Sequence, residues 1–221
     1  VLLGLTVLVE GASILSDLAQ ASMLQAAAAG RQITDAEATV NDARQSLVAL
    51  AGFGMLIVTA VVWCVWKHRA HQNTAALGAR GQQFSPGWAV GYYFVPVLHL
   101  WRPFQAMGEI WRASDPAVEN VRGTEWQHGE VPGLLRGWWA AWIAAGILGN
   151  VAAGMAGGGP SPQRALTCTW IGIVGSLVGI AAAVLAIVVV RTLTHRQERA
   201  YARLDHLAQG PPQALPQTTG P

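Results

Sequence analysis

The chain has 221 residues, of which 52% are hydrophobic and only 12% charged, with a formal net charge of +2. An average soluble domain is roughly one-quarter charged, and here the apolar residues gather into blocks too long for a soluble core. The small net charge, with arginines placed beside those blocks, excludes a nucleic-acid-binding surface and points to a bilayer.

The first block opens as VLLGLTVLV, and a span is expected over about residues 1–25. A signal peptide is disfavoured because no basic region precedes the apolar core and the small residues of QAAAAG lie too far beyond it. The run begins inside apolar sequence, so the helix is expected to start upstream of Val1, with Glu10 and Asp17 on one face marking its outer end. Residues 46–66, SLVALAGFGMLIVTAVVWCVW, supply about 31 Å of helix, a match to the hydrocarbon core. Further spans are expected over residues 134–156, with Trp138, Trp139 and Trp142 just inside one end, and over residues 165–190.

Arginine placement sets the orientation. If the second span leaves to the cytoplasm at Lys67 and Arg69, the last pair enters at Arg136 and returns at Arg191, and Arg31, Arg44 and Arg164 are the only external cations among the 14 lysines and arginines. Residues 67–133 then begin and end inside. The apolar run from Trp88 to Trp101 is about 9 Å short of a spanning helix, so residues 86–114 are expected to be a re-entrant or interfacial segment, against the competing reading of a fifth span. Pro96 removes a backbone donor, Pro103 favours a fresh helix start, and Arg102 is placed to snorkel at headgroup depth. After it, Leu100, Phe104, Met107 and Trp111 recur on one helical face while Gln105, Glu109 and Arg112 take the other, the pattern of an interfacial helix.

These residues also carry a likeness. Asn73 with Gly78 five residues on, P-G-W-A-V from Pro86 through Trp88, F-V-P ending at Pro96, then Leu100, Pro103, R-A-S ending at Ser114, and later Trp138 with Trp139, form an ordered signature. Across residues 60–190 the chain resembles an uncharacterised, actinobacterial-type family of bacterial multi-helix membrane proteins, domain of unknown function 4328. This chain has His99 where that family's pattern carries asparagine. The resemblance implies a bacterial cell-membrane protein and supplies no activity, substrate or cofactor.

Other constellations are weaker. His68 and His71 lie three apart past the second span and, with His99 and Glu109, could form a metal set, but they lack a spacing such as H-E-x-x-H. They are read as juxtamembrane histidines that hydrate or meet lipid phosphates, and no metal, cofactor or catalytic residue is assigned. Cys64 and Cys168 fall near opposite faces of the bilayer, too far apart to bridge. Gly172, Gly175 and Gly179 line a small-residue face of the last span, expected to pack on Gly137, Ala141, Ala145 and Gly149 in an antiparallel hairpin, with a homodimer as the alternative.

The expected organisation is an all-α integral membrane protein: a membrane domain over residues 1–190 with four spans and the broken segment, a cytoplasmic amphipathic helix over 191–209, and a disordered proline-rich tail over 210–221. The expected location is the bacterial inner membrane with the carboxyl terminus cytoplasmic. The function expected is that of a non-enzymatic accessory protein engaging membrane lipid, a membrane protein partner or a second copy of itself. The alternative is a small transporter or channel subunit using the break at Pro96.

Overall fold

The computed structural model describes residues 1–115, 124–156 and 161–209. The proline-rich tail lies outside the described residues, as do residues 157–160 between the last two spans. Among the described residues the chain is all helical, in the order α1 (Leu2–Ala28), α2 (Asp35–Ala76), α3 (Pro86–Gly91), α4 (Arg102–Ala113), α5 (Gly133–Ala156) and α6 (Pro162–Gln209), with short 3-10 turns at Tyr92–Phe94, Leu98–Leu100 and Glu125–His128. Four of these, α1, α2, α5 and α6, are long and apolar enough to cross a membrane.

Local chemistry fixes the helix ends. Gly30 and Gly78 follow α1 and α2 with φ of 91° and 95°. Around each, one N–H reaches back three residues and the next reaches back five, as in Gly78 to Ala75 and Ala79 to Thr74. This closes the last turn, and a left-handed glycine makes it easy. Gly78 of the signature is therefore a helix stop. The start of α2 is a reciprocal cap: Thr34 Oγ1 accepts the Glu37 N–H (3.2 Å) while Glu37 Oε2 accepts the Thr34 N–H (2.9 Å). Arg31 adds an ion pair to Glu37 at 2.8 Å. The T-D-A-E spacing announces this cap in the sequence.

The chain divides into two compact units, the first comprising residues 1–66 and 131–190, the second 67–130 and 191–221. In the first, α1 and α2 pair through Thr6 and Thr59 (3.3 Å) and, further along, through Asp17 Oδ1 accepting from Gln45 Nε2 (3.2 Å). Arg44 donates to Ser16 Oγ and carbonyl (3.1 and 3.2 Å). Gln20 ties α1 to Thr169 of α6 (2.9 Å) and also accepts from Asn41 (3.3 Å). Trp63 of α2 meets Trp138 of α5, centroids 5.1 Å apart, within a run that includes Trp66, Trp139 and Trp142. Aromatic clusters of this kind suit the membrane–water interface. On α2 the apolar side chains Phe53, Leu56, Ile57, Val61, Val62 and Val65 are all exposed. A continuous apolar face of this kind marks a surface to be covered by membrane or protein, and on a helix of this length and hydropathy it fits a bilayer.

Two expectations about this bundle need correction. Of the three glycines on α6, only Gly175 meets α5: a Cβ there would lie 3.4 Å from Leu148 Cβ, whereas Gly137 has nothing within 4 Å. Gly172 and Gly179 instead face α1, where a Cβ would come 3.1 Å from Asp17 Oδ2 and 3.5 Å from Glu10 Cδ. The acids therefore do not mark the end of their helix, which continues to Ala28. Both pairs step by seven residues on antiparallel helices, so a carboxylate on one meets a missing side chain on the other. The two cysteines are free thiols.

Gly172→Val should drive a branched side chain into Asp17 and cost about 1–3 kcal/mol, the usual range for overpacking. Gly137→Val should be close to neutral, and thermal denaturation in one detergent will compare the two. The backbone N–H of Thr34, with further bonds from Arg31 and the Thr34 hydroxyl, holds the Glu37 carboxyl below the ordinary glutamate range. A lowered folded value means that its contribution is present above the unfolded value and is lost as pH falls through the folded one. On acid titration the first turn of α2 should fray only once Glu37 protonates, read from the Thr34 and Glu37 amide shifts.

Candidate interaction site around a buried polar cluster

The second unit is built on the ends of α2 and α6 together with residues 67–130. Because α2 continues as helix to Ala76, Lys67, Ala70, His71, Thr74 and Leu77 fall on one stripe, and all are buried. On α6 Leu193, Gln197 and Ala200 make the matching buried face. Between the two stretches, α4 buries most of its surface, including Ala106, Met107, Ile110 and Trp111. Small apolar clusters complete the unit: Phe84 with Ala89 and Ala106, against which Tyr92 packs, and Ala79 with Ala113 and Trp126.

Within this core sit groups that composition alone would place outside. Lys67 is fully buried. Its Nζ donates to the Pro103 carbonyl (2.8 Å) and Tyr93 Oη (3.4 Å) and lies 4.5 Å above the Tyr93 ring. A carbonyl and a ring face together offset part of the cost of taking an ammonium from water. Four residues on, His71 is also fully buried, with Nε2 3.3 Å from Glu109 Oε1 on α4. Glu109 is 4% exposed, and its other contacts are the backbone N–H groups of Gln83 (2.7 Å, to Oε2) and Phe84 (3.3 Å, to Oε1). A carboxylate oxygen accepts, so His71 donates from Nε2, and its buried Nδ1 has no partner among the described residues.

A second layer joins α6. Gln197 Nε2 donates to the Ala70 carbonyl (2.8 Å) and Ser114 Oγ (3.0 Å), and its oxygen accepts from Asn73 (3.0 Å). The His71 carbonyl accepts from the Thr74 hydroxyl at 2.6 Å, and Gln82 donates to Thr74. Trp126 Nε1 reaches the Arg80 carbonyl (3.1 Å) and Gln127 the Gly81 carbonyl (2.8 Å), so the 3-10 turn at Glu125–His128 holds the loop after α2. Arg196 stacks 4.7 Å over Trp111 and pairs with Asp115 at 2.9 Å.

The signature residues take definite places around this cluster. Ser85 caps α3 by accepting the Trp88 N–H (3.3 Å), and Pro86 sits in the first turn, where its missing donor costs nothing. Pro103 plays the same part in α4. Between them Pro96 and Val97 form a tight turn: the Leu98 N–H donates to the Pro96 carbonyl at 2.8 Å, and Val97 has φ 69° and ψ −52°. That is the γ-turn conformation, rare and strained for a branched residue. Trp88 stacks near Tyr92, centroids 5.1 Å apart.

Several expectations change here. Glu109 is not on a solvent face, because α4 is buried on more than one side and the carboxylate has N–H donors to meet. His71 is not hydrated, since the helix turns it toward α4. Arg102 lies 5.8 Å over Tyr92 and 5.9 Å over Phe84 and reaches Gln105 (3.3 Å). His68, His71, His99 and Glu109 do not converge: among the described residues no three metal-type side chains form a set. His99 is half-buried beside the break, its backbone N–H bonded to Val95 (3.0 Å). Residues 86–114 form no single helix long enough to cross, and α4 provides about 18 Å at most. Sequence reasoning used Lys67 only as a topology marker and passed over Gln197, Thr74 and Trp126. The buried spacing of 67, 70, 71 and 74 was the available signal.

Residues 29–195 match the family model described as a domain of unknown function, DUF4328. The chain belongs to this family. Neither a curated protein nor a solved structure matches it. The match takes in Lys67, His71, Tyr93, Pro103 and Glu109 and stops short of α1 and Gln197.

Glu109→Ala removes one acceptor from three donors, and should destabilise the second unit by about 1–3 kcal/mol for each buried donor left unpaired. Glu109→Gln keeps a carbonyl oxygen and should cost less. Hydrogen exchange at the Gln83 and Phe84 amides will separate the two, with Ala giving the faster exchange.

Proposed function

We propose that the chain is a non-enzymatic accessory protein of a bacterial cell membrane, crossing it four times with the second unit and the carboxyl terminus in the cytoplasm. The reading takes α1, α2, α5 and α6 as the spans, while residues 67–130 and the end of α6 form a folded platform that engages lipid or a membrane partner. The observation that supports it most directly is how the cluster uses its polar groups. Lys67 holds the Pro103 carbonyl, and Glu109 holds two backbone N–H groups and His71. They brace the segment around Pro96 and the loop before α3. Exposed Arg69, Arg80, Arg191 and Arg199 on the same unit suit an anionic leaflet.

A transporter would want the carbonyls at the break turned toward an ion. Here the Pro96 carbonyl accepts from Leu98, that of Val95 from His99, and that of Pro103 from Lys67. An open depression of about 410 Å³ lies between α1 and α2, and the Arg31 and Glu37 that line it pair with each other.

Reporter fusions test the arrangement: one after Gln217 should be active only in the cytoplasm, and one at Thr39 only outside. An external tail would overturn it. Mass spectrometry of protein purified with its native lipids should return phospholipid or a membrane protein in fixed ratio. A small polar solute in fixed ratio would replace the accessory reading with transport.

A further inference from the structure

The segment braced by Lys67 presents an apolar surface. Phe94 is 75% exposed, Val97 62% and Trp88 55%, and Leu100 and Trp101 are also exposed. Five large apolar side chains within fourteen residues, on a segment whose backbone is internally bonded and clamped, are too many for a water-facing turn. The flanks are amphipathic: Tyr92 and Tyr93 on one side, and Arg102, lying over Tyr92 and Phe84, on the other. Aromatic side chains with a polar edge and a cation at the rim are the composition favoured at the level of lipid headgroups.

Chain connectivity gives the depth. Val65 is the last residue of the exposed apolar face on α2, and Lys67, in the same unbroken helix, follows it by about 3 Å of rise. The headgroup layer of one leaflet is about 5–8 Å thick. Lys67 is therefore at headgroup depth, and its bonds to Tyr93 and Pro103 hold both ends of residues 93–103 there. From the clamp, the Val97 turn and this composition, we infer that residues 92–101 are a wedge seated in the headgroup–acyl boundary of the leaflet next to Lys67, and that its occupant is phospholipid. This rests on the membrane reading above and names the partner of that segment.

The test uses the full chain with Cys64 and Cys168 replaced by alanine, reconstituted in vesicles of phosphatidylcholine and phosphatidylglycerol. An environment-sensitive fluorophore is attached to Phe94→Cys, Leu100→Cys or, as the aqueous control, Gln83→Cys. Lipids spin-labelled high on the acyl chain should quench the probe at 94 and 100 severalfold more than at 83, and aqueous iodide should show the reverse order. Equal iodide quenching at 94 and 83 would overturn the inference. So would a disulfide-linked dimer through Phe94→Cys with lipid quenching lost, which would assign the surface to a second copy. The reporter fusions fail or succeed independently: correct topology with a water-exposed probe removes the wedge alone, and an external carboxyl tail removes the membrane reading.

Discussion

An ammonium group sealed inside protein must be given partners, and the partners Lys67 takes determine how the second unit is built. Its bonds to the Pro103 carbonyl and Tyr93 join α2 to two points on either side of a proline-broken segment. Without them, the break at Pro96 would leave an apolar loop with no fixed position. With them the loop becomes a shaped element, and α4, which starts at Arg102, is oriented so that Glu109 comes under His71 and the N–H groups of Gln83 and Phe84. Breaking a buried set of this kind leaves charges or donors uncompensated, which is far more costly than the set is stabilising.

The membrane unit solves a different problem. In hydrocarbon, apolar contact gives little reason for one helix to prefer another, and association comes from close backbone approach and polar bonds. Both are present on α6: Gly175 admits α5, and Gly172 and Gly179 admit the carboxylates of α1. Gln45 bonds Asp17, Arg44 bonds its neighbour Ser16, and Gln20 links Asn41 to Thr169 of α6. A polar layer thus specifies which helices adjoin and in what register.

How far this was legible follows from the physics of each part. The four long helices are written in apolar length, the start of α4 in Pro103, and the end of α2 in Gly78, because each depends on neighbours in sequence. The pairing of Asp17 with Gly172 is invisible to such reasoning, since it is a register between helices 155 positions apart. Glu109 was misplaced because amphipathic patterning assumes one wet face, and α4 has buried residues nearly all round. His71 was misplaced because a basic stretch after a span was taken to leave the helix, whereas α2 continues for nine residues past Lys67.

Val97 has a consequence for handling the protein. A branched residue held at φ 69° stores about 1–3 kcal/mol of backbone strain. Sheltering the Val97 side chain alone from water is favourable by a comparable amount, about 2 kcal/mol. The two terms are close enough that extraction into a harsh, short-chain detergent can tip the balance and let the turn relax, whereas a mild detergent or an added lipid keeps it. Loss of bound phospholipid during purification would then report a relaxed Val97 turn in an otherwise intact bundle.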